Sequence, residues 1–187
     1  MRAPDPDEAR PMRAVAAVFA LAMLGLAAAH AQAPAATLPN MVSISDRIVT
    51  SGQPSGPALG ALGAQGFGAV INLAPPAAAN SVRDETGILE RQSIVYINIP
   101  VELDNPTQLD FDTFVGAMAA MGTRKALVHC DTNMRSSAFV FLYRTIIQKE
   151  PSAVAYEAVR KVWSPTPKWK QFMSQQLRTH GVAFDPL

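Results

Sequence analysis

The sequence predicts an α/β fold: a single domain with a mostly parallel sheet of four to five strands flanked by helices. Three observations carry this. Short, continuous apolar runs bounded by turn residues occur at 68–73, 94–101 and 125–129, the pattern of strands buried on both faces. Stretches of helical periodicity lie between them, clearest at 107–121. Strand and helix signals alternate along the chain, with no repeat and no second domain.

Composition fits one such domain. The chain has 187 residues, 49% of them hydrophobic, enough for a proper core. The formal net charge of +1 gives no general attraction to nucleic acid or to acidic membrane surfaces. His30, His129 and His180 are isolated and Cys130 is the only cysteine. No metal site, no cofactor and no internal disulfide are therefore expected.

Residues 1–36 stand apart. Arg10 and Arg13 flank Met12, Ala14 to Ala29 is apolar, and small residues follow at Ala29-His30-Ala31 and Ala31-Gln32-Ala33. This reads as a secretory signal peptide cut after Ala31, since a cut after Ala33 would meet Pro34. The compact signal begins at Met12, so translation from Met1 or Met12 stays open. The apolar run is short and Ala-rich and no basic stop-transfer segment follows, so no membrane association is expected after cleavage. The layout is a signal peptide at 1–31, a linker at 32–41, the domain at 42–180 and a tail at 181–187.

Along the domain, Ile44 and Ile48-Val49 suggest short strands with a turn at Asp46. A loop over Ser51–Ser55 follows, with Ser55 as N-cap of a helix over 56–65 that Gly66 ends. After the strand at 68–73 comes a loop rich in Pro and Ala, then a polar helix over 81–91 packing through Ile88 and Leu89. The strand at 94–101 ends at Pro100. Thr107 caps the helix to Met121, whose Phe111, Phe114, Val115, Met118 and Met121 share one face. A helix from Arg135 to about Lys149 is apolar nearly all round and should be buried. A helix from Pro151 to Val162 and one from Trp169 to Thr179 complete the chain, with Trp163 and Trp169 as core anchors.

The chemistry concentrates in residues 125–139, read as strand, tight loop and helix. Cys130 sits where the strand ends; Arg135 and Ser136 sit where the helix begins. Such a turn gathers free backbone N–H groups at the positive end of a helix, a ready anion site. A thiol there should have a lowered pKa. Arg135 adds a planar fork that fits phosphate or sulfate oxygens. Together they suggest covalent catalysis on a tetrahedral or sulfur-bearing anion. The ordinary reading is a small buried hydrophobe followed by a solvated helix start.

His129-Cys130-Asp131-Thr132-Asn133-Met134-Arg135-Ser136 resembles the signature loop of cysteine-dependent phosphatases of the dual-specificity type. It most resembles the bacterial beta-lactamase-hydrolase-like phosphatases. Thr50-Ser51-Gly52-Gln53-Pro54, Gly66-Phe67, Val70–Leu73, Tyr96, Ile99–Val101, Pro106-Thr107 and Val162–Trp169 match that branch in order, so the resemblance spans about 40–178. It implies the dual-specificity phosphatase fold and hydrolysis of a phosphate monoester through a cysteinyl-phosphate. Cys130 would be the nucleophile. Arg135 and the loop Asp131, Thr132, Asn133 and Met134 would bind substrate. Asp104, or else Glu102, would be the general acid. Ser136 would steady the leaving thiolate, and His129 would orient the loop by bonding backbone. It also implies a bacterial source, a periplasmic or secreted protein, and a phosphorylated small molecule or protein as substrate.

Two features depart from that loop. Four residues separate Cys130 from Arg135, one fewer than usual, which resembles rhodanese-type sulfurtransferases and suits a Cys130 persulfide. Asn133 stands where a glycine is usual, and Asn is the next most tolerant of a left-handed backbone. Asp131 would weaken anion binding if its side chain points inward. A sulfurtransferase and a catalytically silent anion-binding protein are the alternatives.

Overall fold

The computed structural model describes residues 38–186; the signal peptide, its cleavage point and the choice of start lie outside the described residues. Its strands are β1 (Val42–Ser43), β2 (Ile48–Ser51), β3 (Phe67–Asn72), β4 (Val95–Asn98) and β5 (Lys125–His129). They form one five-stranded sheet in the order β1-β2-β5-β3-β4. Only the β1–β2 pair is antiparallel; β5 lies between β2 and β3, parallel to both. The strand that carries Cys130 is thus central, and its end opens at the carboxyl edge of the sheet, where ligands gather in such folds.

Alternation along the strands builds two apolar layers. Ile71, Ala126 and Val128 face α3 (Gln108–Ala120), α4 (Met134–Ile146), α5 (Ser152–Arg160) and α6 (Pro167–Thr179). Val49, Val70 and Leu127 face α1 (Gly56–Gly60) and α2 (Glu85–Glu90). The amphipathic α3 starts with a capping box, in which Thr107 Oγ1 accepts from Asp110 N at 3.2 Å and Asp110 Oδ2 accepts from Thr107 N at 2.8 Å. α4 is buried along nearly its whole length, as its all-round apolar sequence requires. Phe139 anchors it, with ring centroids 6.0 Å from Phe111, 5.6 Å from Phe114, 6.1 Å from Trp169 and 5.9 Å from Phe172. Trp169 is fully buried; Trp163 is half-buried and donates from Nε1 to Ser137 Oγ at 3.2 Å.

Several boundaries differ from expectation. The helix expected over 56–65 stops at Gly60 and resumes as a 3-10 turn at Gly63–Gln65. The helix expected over 81–91 contracts to α2, because Asp84 takes a left-handed backbone (φ 60°) at its start. The first strand falls on Val42–Ser43 rather than at Ile44. The last helix begins at Pro167, a favoured first helical residue. Packed structure also runs past the expected ends of the domain. Leu38 is buried, and Phe184 packs 5.9 Å from Phe141 and 5.5 Å from Tyr156.

Phe139→Ala should destabilise the protein by about 3–5 kcal/mol, measured by chemical denaturation. A loss under about 1 kcal/mol would mean that α4 is not held by this aromatic cluster.

Candidate active site

β5 ends at His129, and the chain turns within four residues into α4. Asn133 makes the turn with φ 74° and ψ 0°, the left-handed backbone expected of it. Its side chain is buried, and Nδ2 donates to Asn40 O at 2.6 Å and to Thr50 Oγ1 at 3.1 Å. What Asn133 offers a ligand is therefore backbone. Asn40 Nδ2 donates in return to Thr132 O at 3.1 Å.

The Thr50–Pro54 stretch, one of those that carry the family resemblance, is the buttress of this loop. Cys130 N donates to Ser51 O at 3.3 Å and Gln53 N to Asp131 O at 3.1 Å. Gly52 bridges to Thr132, so close that a Cβ there would lie 2.9 Å from Asp131 O. Only glycine allows that approach. From the other side, Asn80 Nδ2 donates to Asp131 O at 3.2 Å. The loop is thus fixed by its backbone before any ligand arrives, as a catalytic cradle requires.

Arg135 lies on the first turn of α4 at 3% exposure. Nη1 donates to Val101 O at 2.8 Å, and Nη2 pairs with Asp131 Oδ2. Nε is buried without a hydrogen-bond partner, as is Asp131 Oδ1. The Asp131 carboxylate therefore points inward. Cys130 is fully buried beside this loop; Thr132 is exposed and Met134 half-buried. The Ser136 hydroxyl is buried and unpartnered, so it is not bonded to the Cys130 sulfur.

His129 does not bond backbone as expected. Strand alternation turns it to the α2 face, away from Cys130, where Nε2 lies 2.9 Å from Glu85 Oε1. Glu85 Oε2 accepts from Asn72 Nδ2 at 3.3 Å, and Asn72 Nδ2 also donates to Tyr96 Oη at 3.2 Å. Sequence reasoning missed Glu85; the polar Asn72 inside a buried strand was the available signal. Burial raises the Tyr96 phenol above its ordinary pKa, the Glu85 charge adds to the rise, and the Asn72 bond opposes it.

Asp104 and Glu102 are both exposed. Their loop is held at the site's edge at two points: Val101 O by Arg135, and Leu103 O by Trp169 Nε1 at 2.8 Å. Among the described residues, no group of three or more His, Cys, Asp or Glu is placed to hold a metal ion.

No family model and no curated protein matches the chain. Among solved structures it is similar to a DUF442 protein, a candidate phosphatase, from Shewanella putrefaciens CN-32. Identity is 27%, with a TM-score of 0.70 over 77% of this chain and 92% of that one. It shares its fold with the core catalytic domain of the PP-IP phosphatase SIW14 from S. cerevisiae, at 14% identity and TM-score 0.62 over 74% of this chain and 86% of that one. It shares it also with P. aeruginosa TpbA, at 17% identity and TM-score 0.58 over 79% and 91%. The chain has the fold of the cysteine-dependent phosphatases, as the signature loop implied.

Two outcomes follow. Gly52→Ala should cost about 1–3 kcal/mol in denaturant unfolding, while Gly60→Ala, with open space around its Cβ, should cost nothing; equal effects would remove the buttress. Glu85→Gln should lower the Tyr96 titration, followed by phenolate absorbance, yet leave it above the ordinary value because burial remains. An unchanged titration would mean that the Glu85 charge does not reach Tyr96.

Proposed function

From a chain with the cysteine-phosphatase fold, we propose a metal-independent enzyme that hydrolyses a phosphate monoester, of the protein tyrosine or dual-specificity type. The burial of Arg135, five residues after Cys130 at the turn into α4, carries this reading. A solvated helix start would leave that guanidinium in water, whereas a charge held inside the turn is set to bind an anion.

The reaction runs in two displacements. The Cys130 thiolate attacks phosphorus. The S–P bond forms, the ester O–P bond breaks, and Asp104 gives its proton to the leaving oxygen, with Glu102 as the second choice. Water then attacks phosphorus and passes a proton to the Asp104 carboxylate. The S–P bond breaks and inorganic phosphate leaves. Loop N–H groups and Arg135 carry the developing oxygen charge, and the unpartnered Ser136 hydroxyl is free to donate to the departing sulfur. Substrate is a phosphorylated small molecule or protein, not nucleic acid. The leader at 1–31 supports export to the periplasm or beyond, without membrane attachment after cleavage.

The four-residue gap favours a second reading, sulfur transfer through a Cys130 persulfide, because it makes the cradle smaller.

The test is phosphate release from a small aryl phosphate by the reduced protein. Wild type should turn over without added metal, Cys130→Ser should fall to background, and Asp104→Asn should lose about 10²-fold or more on an alkyl phosphate. Equal inactivity of wild type and Cys130→Ser, with thiosulfate as a working sulfur donor, would replace this reading by the second.

A further inference from the structure

The cradle already holds an anion of its own. Nη1 of Arg135 is committed to the neutral carbonyl of Val101, and Nη2 to the Asp131 carboxylate. No other cationic side chain lies between Cys130 and Ser136. The single positive charge of the loop is therefore matched by a single negative one before the Cys130 thiolate or a substrate adds more. We propose that Asp131 is the charge-selecting residue of the site: its carboxylate holds the guanidinium nitrogen that an incoming oxyanion needs, so the pocket takes singly charged tetrahedral groups in preference to doubly charged ones. This rests on reading the loop as an oxyanion cradle.

The geometry gives Asp131 this role and limits how it can yield. Its carbonyl is fixed by Gln53 N and Asn80 Nδ2, and the next residue is bridged to Gly52. The loop cannot carry the carboxylate away as a body; only rotation of the side chain frees Arg135. That side chain is 30% exposed, so rotation has an outlet to solvent, whereas Arg135, at 4%, has none. The two orphaned atoms of the pair, Arg135 Nε and Asp131 Oδ1, show that neither group has its full set of bonds when they hold each other. An oxyanion that displaced Asp131 could bond Nη2 and the idle Nε together, the two-point grip that guanidinium offers tetrahedral anions. A monoanion meets the repulsion of Asp131 once; a dianion meets it twice over.

The test compares two tetrahedral anions of similar size and different charge, molybdate (doubly charged) and perrhenate (singly charged), bound to the reduced full chain by calorimetry. Asp131→Asn and Asp131→Ser should each tighten molybdate by about tenfold relative to perrhenate, a shift of about 1.4 kcal/mol. Asp131→Glu should keep the wild-type ratio, and Arg135→Ala should abolish binding of both. An unchanged ratio in Asp131→Asn and Asp131→Ser, with both anions still bound, would overturn the charge-selecting role and leave the cradle standing. Binding of neither anion by any variant would overturn the cradle reading and this inference with it.

Discussion

A buried guanidinium is the constraint on which the architecture of the site depends. Arg135 is almost wholly out of water, and removing a partner from such a charge commonly costs about 3–5 kcal/mol. Its two bonds reach different parts of the chain, Val101 beyond β4 and Asp131 in its own loop. The ends of β4 and β5 must therefore be brought together, although β3 lies between them in the sheet. The loop of Asp104 follows directly from Val101, so the contact that satisfies Arg135 also anchors the start of the loop that carries the candidate acid.

The second constraint is the alternation of β5. Val128 and Cys130 belong to the layer under α4, while Leu127 packs in the layer under α2 and His129 turns to the same side. Consecutive residues thus serve separate polar systems on opposite faces of one strand. Cys130 is buried in the layer under α4; on the other face buried His129, Glu85 and Asn72 link to the half-buried Tyr96.

What could be read from the sequence was what local signals carry. The apolar run before Cys130, the all-round apolar helix after Arg135, the left-handed position of Asn133 and the cap at Thr107 each lie within a few residues of what they determine. What could not be read depends on distant contacts. Gly52 looked like a turn residue because its reason is the Asp131 carbonyl pressed against it. Glu85 is not distinguished within its polar helical stretch because its partner is 44 positions away, at His129. The inward direction of Asp131 follows from its pairing with Arg135, which only the folded turn brings about. The contraction of α2 turns on one residue, Asp84, whose positive φ no periodicity signals.

The central claim is that this loop carries a phosphoryl group on Cys130. The most direct measurement is rapid acid quench of the reduced protein during turnover of an aryl phosphate, followed by intact mass and peptide mapping. The account predicts one phosphoryl adduct, confined to the peptide that contains Cys130. A sulfur adduct on that peptide after thiosulfate, with no adduct from the phosphate ester, would contradict it.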